Sequence, residues 1–222
     1  MARALIVQHT AHEGLGRLLE WLPAAGLDVH PIHPYLGHRV PPSVEGDALI
    51  VLGGPMGAND DAAAPWLPAT RSLLATAIDD GVPTLGICLG AQLLAVAAGG
   101  EVLRGAAGPE LGFGEVTVPV GDDLLSAGAM PVVQWHYDTV TRLPEGATLL
   151  ASSSLYEVQA FRVGEVAWGL QFHVEATVDM VRDWAAVDGV DDSVTHAVRA
   201  RDDALRTAGH EVAERFARIV IG

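Results

Sequence analysis

The chain has no lysine; all thirteen of its basic residues are arginines. That absence excludes Schiff-base chemistry on a lysine, pyridoxal phosphate enzymes of the usual kind and the lysine of a Walker-type phosphate loop. Cysteine is nearly absent as well, with Cys88 alone in the sequence, so an internal disulfide is impossible while a free reactive thiol is permitted. Positive charge is scarce in general. A formal net charge of −15 argues against nucleic acid or an anionic membrane as partner, because both require a basic face. No apolar run reaches the roughly 18 residues needed to cross a bilayer. Met1-Ala2-Arg3 leads straight into a strand-like segment rather than a signal peptide, which predicts a cytoplasmic protein.

Apolar residues, by contrast, make up 50% of the chain and charged residues only 18%, so a substantial core is expected and intrinsic disorder is not. At 222 residues one α/β domain is the default. The expected organisation is a single domain over 1–222, with 189–222 a C-terminal helical extension that packs on its own domain.

Ala4 to His9 reads as a buried strand, followed by a helix over Glu13 to Leu22 with Leu15, Leu18, Leu19 and Leu22 on one face. Leu27 to Ile32 alternates, and Pro31 places it towards a sheet edge. Ala48 to Leu52 is continuously apolar, as a parallel strand buried on both faces would be. Trp66 to Ile78 is helical by pattern, Val82 to Ile87 is the next strand, and Gln92 to Ala98 is a helix stopped by Gly99-Gly100. Strand and helix in alternation predict a parallel sheet with right-handed crossovers. Five short strand-like runs follow, at 116–120, 131–135, 147–151, 156–161 and 166–172, and suggest antiparallel additions to that sheet. From Val178 the pattern is helical again, broken at Asp188 to Asp192, with an amphipathic stretch from Ser193 to Ile221.

Cys88 stands between a strand and a helix with Gly86 and Gly90 around it. Glycines there allow the tight turn that holds a nucleophile above a sheet, and the helix N-terminus favours the thiolate. A cysteine nucleophile needs a base, and that base needs an orienting group. Among nine histidines, His173 ends an apolar strand and has Glu175 two residues on, on the same face if the backbone stays extended. Gly53-Gly54-Pro55 closes the strand expected beside the cysteine strand, where a backbone N–H could approach an oxyanion, with the N–H of Leu89 as second donor. Singly, each run has a plain structural reading: a buried thiol, a strand-end histidine, a turn.

Taken together, Gly-Ile-Cys-Leu-Gly-Ala-Gln, Phe-His-Val-Glu and Gly-Gly-Pro resemble the motifs of class I, or triad-type, glutamine amidotransferases, in order and at plausible separations from Ala4 to about Trp184. Gln134-Trp135-His136-Tyr137-Asp138-Thr139 is similar to the Trp-His-x-Asp segment of members like GMP synthase, many of which carry glycine where this chain has Tyr137. The resemblance implies a three-layer α/β fold, a flavodoxin-like, mostly parallel open sheet with added antiparallel strands. It implies a Cys88, His173, Glu175 triad that hydrolyses the side-chain amide of L-glutamine to glutamate and ammonia through a thioester, without cofactor or metal. Gly54 and Leu89 would bind the oxyanion, and Gly53, Gln92, Tyr137 and Asp138 the substrate. Since the sequence has no room for a synthetase domain, the ammonia would pass to a separate synthetase subunit. The oligomeric state is not legible.

Three other readings compete for the same residues. The chain could be an independent γ-glutamyl hydrolase, a cysteine-elbow α/β hydrolase in which Asp138 replaces Glu175, or a binding or regulatory protein that keeps the fold with an idle site. His136 is a rival base, ranked lower because Asp138 is its only near carboxylate in sequence. His30, His33 and His38 lie among prolines and match no zinc spacing, and Asp60-Asp61 reads as a loop or cap pair.

Overall fold

The structure is a computed structural model describing residues Met1–Gly222. Its centre is a seven-stranded sheet built from β1 (Ala2–Val7), β2 (Leu27–Ile32), β3 (Ala48–Val51), β4 (Thr84–Ile87), β9 (Thr148–Ala151), β10 (Ala160–Val163) and β11 (Ala167–Leu170). The order across the sheet is β2-β1-β3-β4-β11-β10-β9. The β2-β1, β1-β3, β3-β4 and β4-β11 pairs are parallel, and β10 runs against both of its neighbours.

The apolar strands are continuous because both faces are covered. Ala4, Ile6, Ala48, Ile50, Leu85 and Ile87 point to one core, shared with Leu18, Trp21 and Leu22 of α1 (Leu18–Ala24) and with Val212 and Phe216 of α6 (Asp202–Ile221). Leu5, Val7, Leu49 and Val51 point to the other, against α2 (Leu67–Asp79) and α3 (Leu89–Ala97). Alternation along each strand thus feeds two apolar layers, giving three layers in all. β2 is an edge strand, where Pro31 removes no ladder bond that a neighbour needs.

The later strands depart from the expectation of additions to one sheet. Only β9 and β10 join it as the antiparallel extension, while β11 inserts parallel beside β4. The other strands form two separate ribbons. β6 (Glu110–Val118) pairs with β7 (Gly128–His136), and β5 (Glu101–Arg104) pairs with β8 (Asp138–Arg142). The run 156–161 is shifted: the strand is Ala160–Val163, and Tyr156 instead caps a turn in which its own N–H bonds Ser153 Oγ at 3.0 Å. The expected helix from Glu13 begins only at Leu18. The Ser193–Ile221 stretch is two helices, α5 (Ser193–Arg199) and α6, and α4 spans Val178–Asp188. Val198 and Leu205 share a small core with Val133, Val181 and Trp184, so α5 and α6 pack on the body of the chain.

Candidate active site

The Cys88 turn is set by close backbone approach. Cys88 has φ 51° and ψ −108° and is the only non-glycine residue with positive φ, a conformation that L-residues hold only when their surroundings impose it. Its N–H bonds Leu170 O at 2.8 Å, tying the end of β4 to β11. A Cβ on Gly86 would lie 2.6 Å from the carbonyl of Gly90, and one on Gly90 would run into Val51 O. Both glycines are therefore required for α3 to start directly over the sheet. Cys88 is 6% exposed; its Sγ lies 3.6 Å from Trp135 O and accepts from Gln171 Nε2 at 3.8 Å.

His173 and Glu175 follow β11 and are almost wholly buried. The His173 N–H bonds Val133 O at 2.8 Å, fixing the segment on β7, and His173 Nδ1 lies 2.6 Å from Glu175 Oε1. Burial opposes protonation of this imidazole. The neighbouring Glu175 carboxylate and the Cys88 sulfur outweigh it and hold the pKa well above the ordinary histidine value. His173 Nε2, the nitrogen not bound to Glu175, has no hydrogen-bond partner of normal geometry. The Trp184 ring packs on the imidazole at 4.7 Å between centroids.

Cys88 opens onto a cavity of about 350 Å³ whose walls include Glu13, Gly54, Gln92, Tyr137, Asp138 and Asp188. Gly54 and Leu89 are neighbours: a Cβ on Gly54 would stand 2.9 Å from Leu89 Cδ2. As the first residue of α3, Leu89 has an N–H with no partner within the helix. Gly53 lies deeper, where a Cβ would reach within 3.2 Å of His173 Cε1. Gln92 is buried and spends its amide protons on Asp138 O (3.0 Å) and Gln171 Oε1 (3.2 Å), leaving its oxygen as the unused group. Tyr137 OH reaches Asp188 Oδ2 at 3.3 Å, with Arg104 stacked on its ring at 4.5 Å.

The rivals go elsewhere. The Asp138 carboxylate faces Arg104 at 3.9 Å and not His173. His136 has a carboxylate partner that its local sequence does not disclose, Glu110, at 3.1 Å from Nε2, while Nδ1 is 3.1 Å from Asp138 O. Both of its nitrogens are engaged away from the thiol. His30 lies 3.0 Å from Asp28, His38 Nδ1 accepts from the His33 N–H, Asp60 caps Gly57, and Asp61 forms a two-point pair with Arg71.

Two wall residues were not legible beforehand. Asp188 accepts from Trp135 Nε1 at 3.0 Å as well as from Tyr137, and so clamps the aromatic wall from the end of α4. Glu13 enters because the segment before α1 is a turn. Gly16 has φ 49° and no room for a Cβ against Glu175 O, which accepts the Arg17 N–H at 2.9 Å. Burial raises the Glu13 carboxyl to about 7, helped by the charges of Glu175 and Asp188 and opposed by His173. The signal available in sequence was a carboxylate just ahead of two glycines, Gly14 and Gly16, which weaken a helix.

The class-I glutamine amidotransferase family model matches residues 25–181. A glutamine-hydrolyzing GMP synthase subunit from Methanoregula boonei is 43% identical over 114 residues, covering 49% of this chain and 60% of that protein. Gamma-glutamyl peptidase 4 of Arabidopsis thaliana is 31% identical over 127 residues, covering 53% of this chain and 50% of that protein. The match thus spans 50–60% of the length of these two relatives. A crystal structure of a glutamine amido transferase from Methylobacillus flagellatus superposes with a TM-score of 0.88 at 26% identity, over 98% of this chain and 95% of that one. With the family model covering most of the sequence and a solved amidotransferase matching its fold from end to end, the chain belongs to the class-I glutamine amidotransferases.

Proposed function

We propose that this protein hydrolyses the side-chain amide of L-glutamine to glutamate and ammonia through a thioester on Cys88, and hands the ammonia to a separate synthetase. The observation that carries this reading is the strained Cys88 at the head of α3 beside a buried His173–Glu175 pair, opening onto a cavity. His173 takes the thiol proton, Glu175 holds the imidazole and stabilises its charged form, and the thiolate attacks the amide carbon. The N–H groups of Gly54 and Leu89 receive the oxyanion. His173 returns its proton to the departing nitrogen, the C–N bond breaks, and water then cleaves the thioester with His173 as base. The Gln92 oxygen, with Gly53, Tyr137 and Asp138, serves the amino-acid end of the substrate.

A second reading is favoured by the likeness to a gamma-glutamyl peptidase: the same machinery could cleave a γ-glutamyl compound in its own right. Both are tested by measuring glutamate release from L-glutamine and from a γ-glutamyl dipeptide, with Cys88→Ala as control. Release from glutamine that Cys88→Ala abolishes supports the first reading, and release from the dipeptide alone moves the assignment to the second. Turnover that survives Cys88→Ala refutes both.

A further inference from the structure

Glu13 is a titratable group in the cavity wall for which the mechanism above has no use. Its carboxylate and the Cε1 edge of His173 share one niche. A Cβ on Gly53 would collide with Glu13 Oε2 while standing 3.2 Å from His173 Cε1, so the absence of a side chain at Gly53 is what lets the two meet. The turn carrying Glu13 is anchored to the histidine segment: the Arg17 N–H bonds Glu175 O at 2.9 Å and Arg17 Nε bonds Ala176 O at 3.0 Å. No hydrogen bond from the protein stabilises the Glu13 carboxylate. The charged groups that act on it are His173, which attracts it, and Glu175 and Asp188, which repel it.

With the roles given to these residues in the proposed reaction, the carbonyl oxygen of a substrate at Cys88 turns to Gly54 and Leu89, and its carbon chain runs towards Gln92 and Asp138. The scissile nitrogen must come within hydrogen-bond reach of His173 Nε2 to be protonated, and Glu13 is the carboxylate beside that imidazole not already bonded to it. Resting on the amidase reading above, we propose that Glu13 is a specificity-determining residue that accepts a hydrogen bond from the N–H of the scissile amide. As His173 protonates that nitrogen and the C–N bond breaks, positive charge grows next to the carboxylate, so the contact strengthens towards the transition state. A leaving oxygen offers no donor and meets a repulsive lone pair, so the same group discriminates amides from esters.

The test compares kcat/KM for L-glutamine with that for L-glutamate γ-methyl ester, which forms the same thioester with an oxygen leaving group. Glu13→Gln is expected to lower the glutamine value roughly 10- to 100-fold and the ester value by at most about threefold, the part common to both being the attraction that His173 loses; Glu13→Asp should recover part of the loss. A parallel fall on both substrates, or none on glutamine, overturns the proposal. The unsubstituted protein supplies an independent arm: its amide-to-ester ratio should rise about tenfold between pH 5.5 and 8.5 as the carboxyl ionises near 7, and a flat ratio overturns the proposal. Failure to turn over either substrate would refute the amidase reading itself, an outcome distinct from both.

Discussion

Replacing Glu175 with glutamine isolates what its charge contributes. The pair is dry, with both side chains 1% exposed and Nδ1 to Oε1 at 2.6 Å, so the carboxylate acts on the imidazole with little solvent screening. Taking the charge centres as roughly 4 Å apart and an effective dielectric of about 20, the attraction is about 4 kcal/mol. Glutamine keeps the shape and can still accept from Nδ1–H, so the ring orientation survives while the charged form of His173 loses that attraction. Thiolate and imidazolium then form together less readily, and kcat/KM for glutamine should fall about 10²- to 10³-fold at pH 7 with KM changed less than about threefold. Glutamate release gives the first measurement, and the rate of Cys88 alkylation by iodoacetamide at pH 7 should fall in step. The linkage has a definite sign. The His173 pKa is raised in the folded chain, so its contribution to stability is complete below about 6.5 and is lost as pH rises through the folded value. Glu175→Gln should therefore be most destabilising at or below pH 6.5 and progressively less so in alkali. Less than a tenfold loss of activity, or a stability deficit that grows with pH, would refute this account of the pair.

Gly90→Ala should destabilise although alanine normally improves a helix by about 1 kcal/mol, because the new methyl meets Val51 O; a melting temperature lower by about 5–10 °C is expected, and any rise would count against the packing of α3 on β3. Glu13 is held at about 7 against 4.5 in the unfolded chain, so the stability it contributes below pH 4.5 is lost as pH climbs to 7. Glu13→Gln should accordingly be more stable than the parent at pH 8 by about 1–3 kcal/mol, with the gap closing below pH 4.5; urea titrations at both pH values would show whether it does. Phe216 lies beyond the residues that match the family model and is fully buried in the main core. Phe216→Ala should lower the unfolding free energy by about 3–5 kcal/mol, and a loss under 1 kcal/mol in urea would mean that α6 is dispensable to the core.

Much of the molecule was legible from the chain alone. The runs 4–9, 48–52 and 82–87 announced buried parallel strands because a strand covered on both faces must be apolar at every position. The cysteine turn was legible for a similar local reason: Gly86 and Gly90 bracket the only cysteine, and a sharp strand-to-helix turn leaves no space for side chains at those positions. His173 and Glu175 are two apart, so their proximity is local, although the segment is a single bridge residue, His173, between bends rather than a continued strand.

Contacts that depend on distant segments were decided only by the tertiary structure. His136 meets Glu110 because the β6–β7 register sets these two residues opposite each other, and no local pattern encodes a pairing across 26 residues. The strand-like runs after Gly100 gave no sign of which would enter the sheet, since β11 is chosen by its partner β4 and the two ribbons by each other. Glu13 carried a helical apolar pattern behind it, yet Arg17 bonding to Glu175 O and the tight seat of Gly16 hold the segment as a turn. Local sequence set the Cys88 turn and the order of layers, because those rest on steric and apolar demands within a few residues. That Glu13 and Asp188 join Glu175 around Cys88 was left to packing, because they arrive from different parts of the chain.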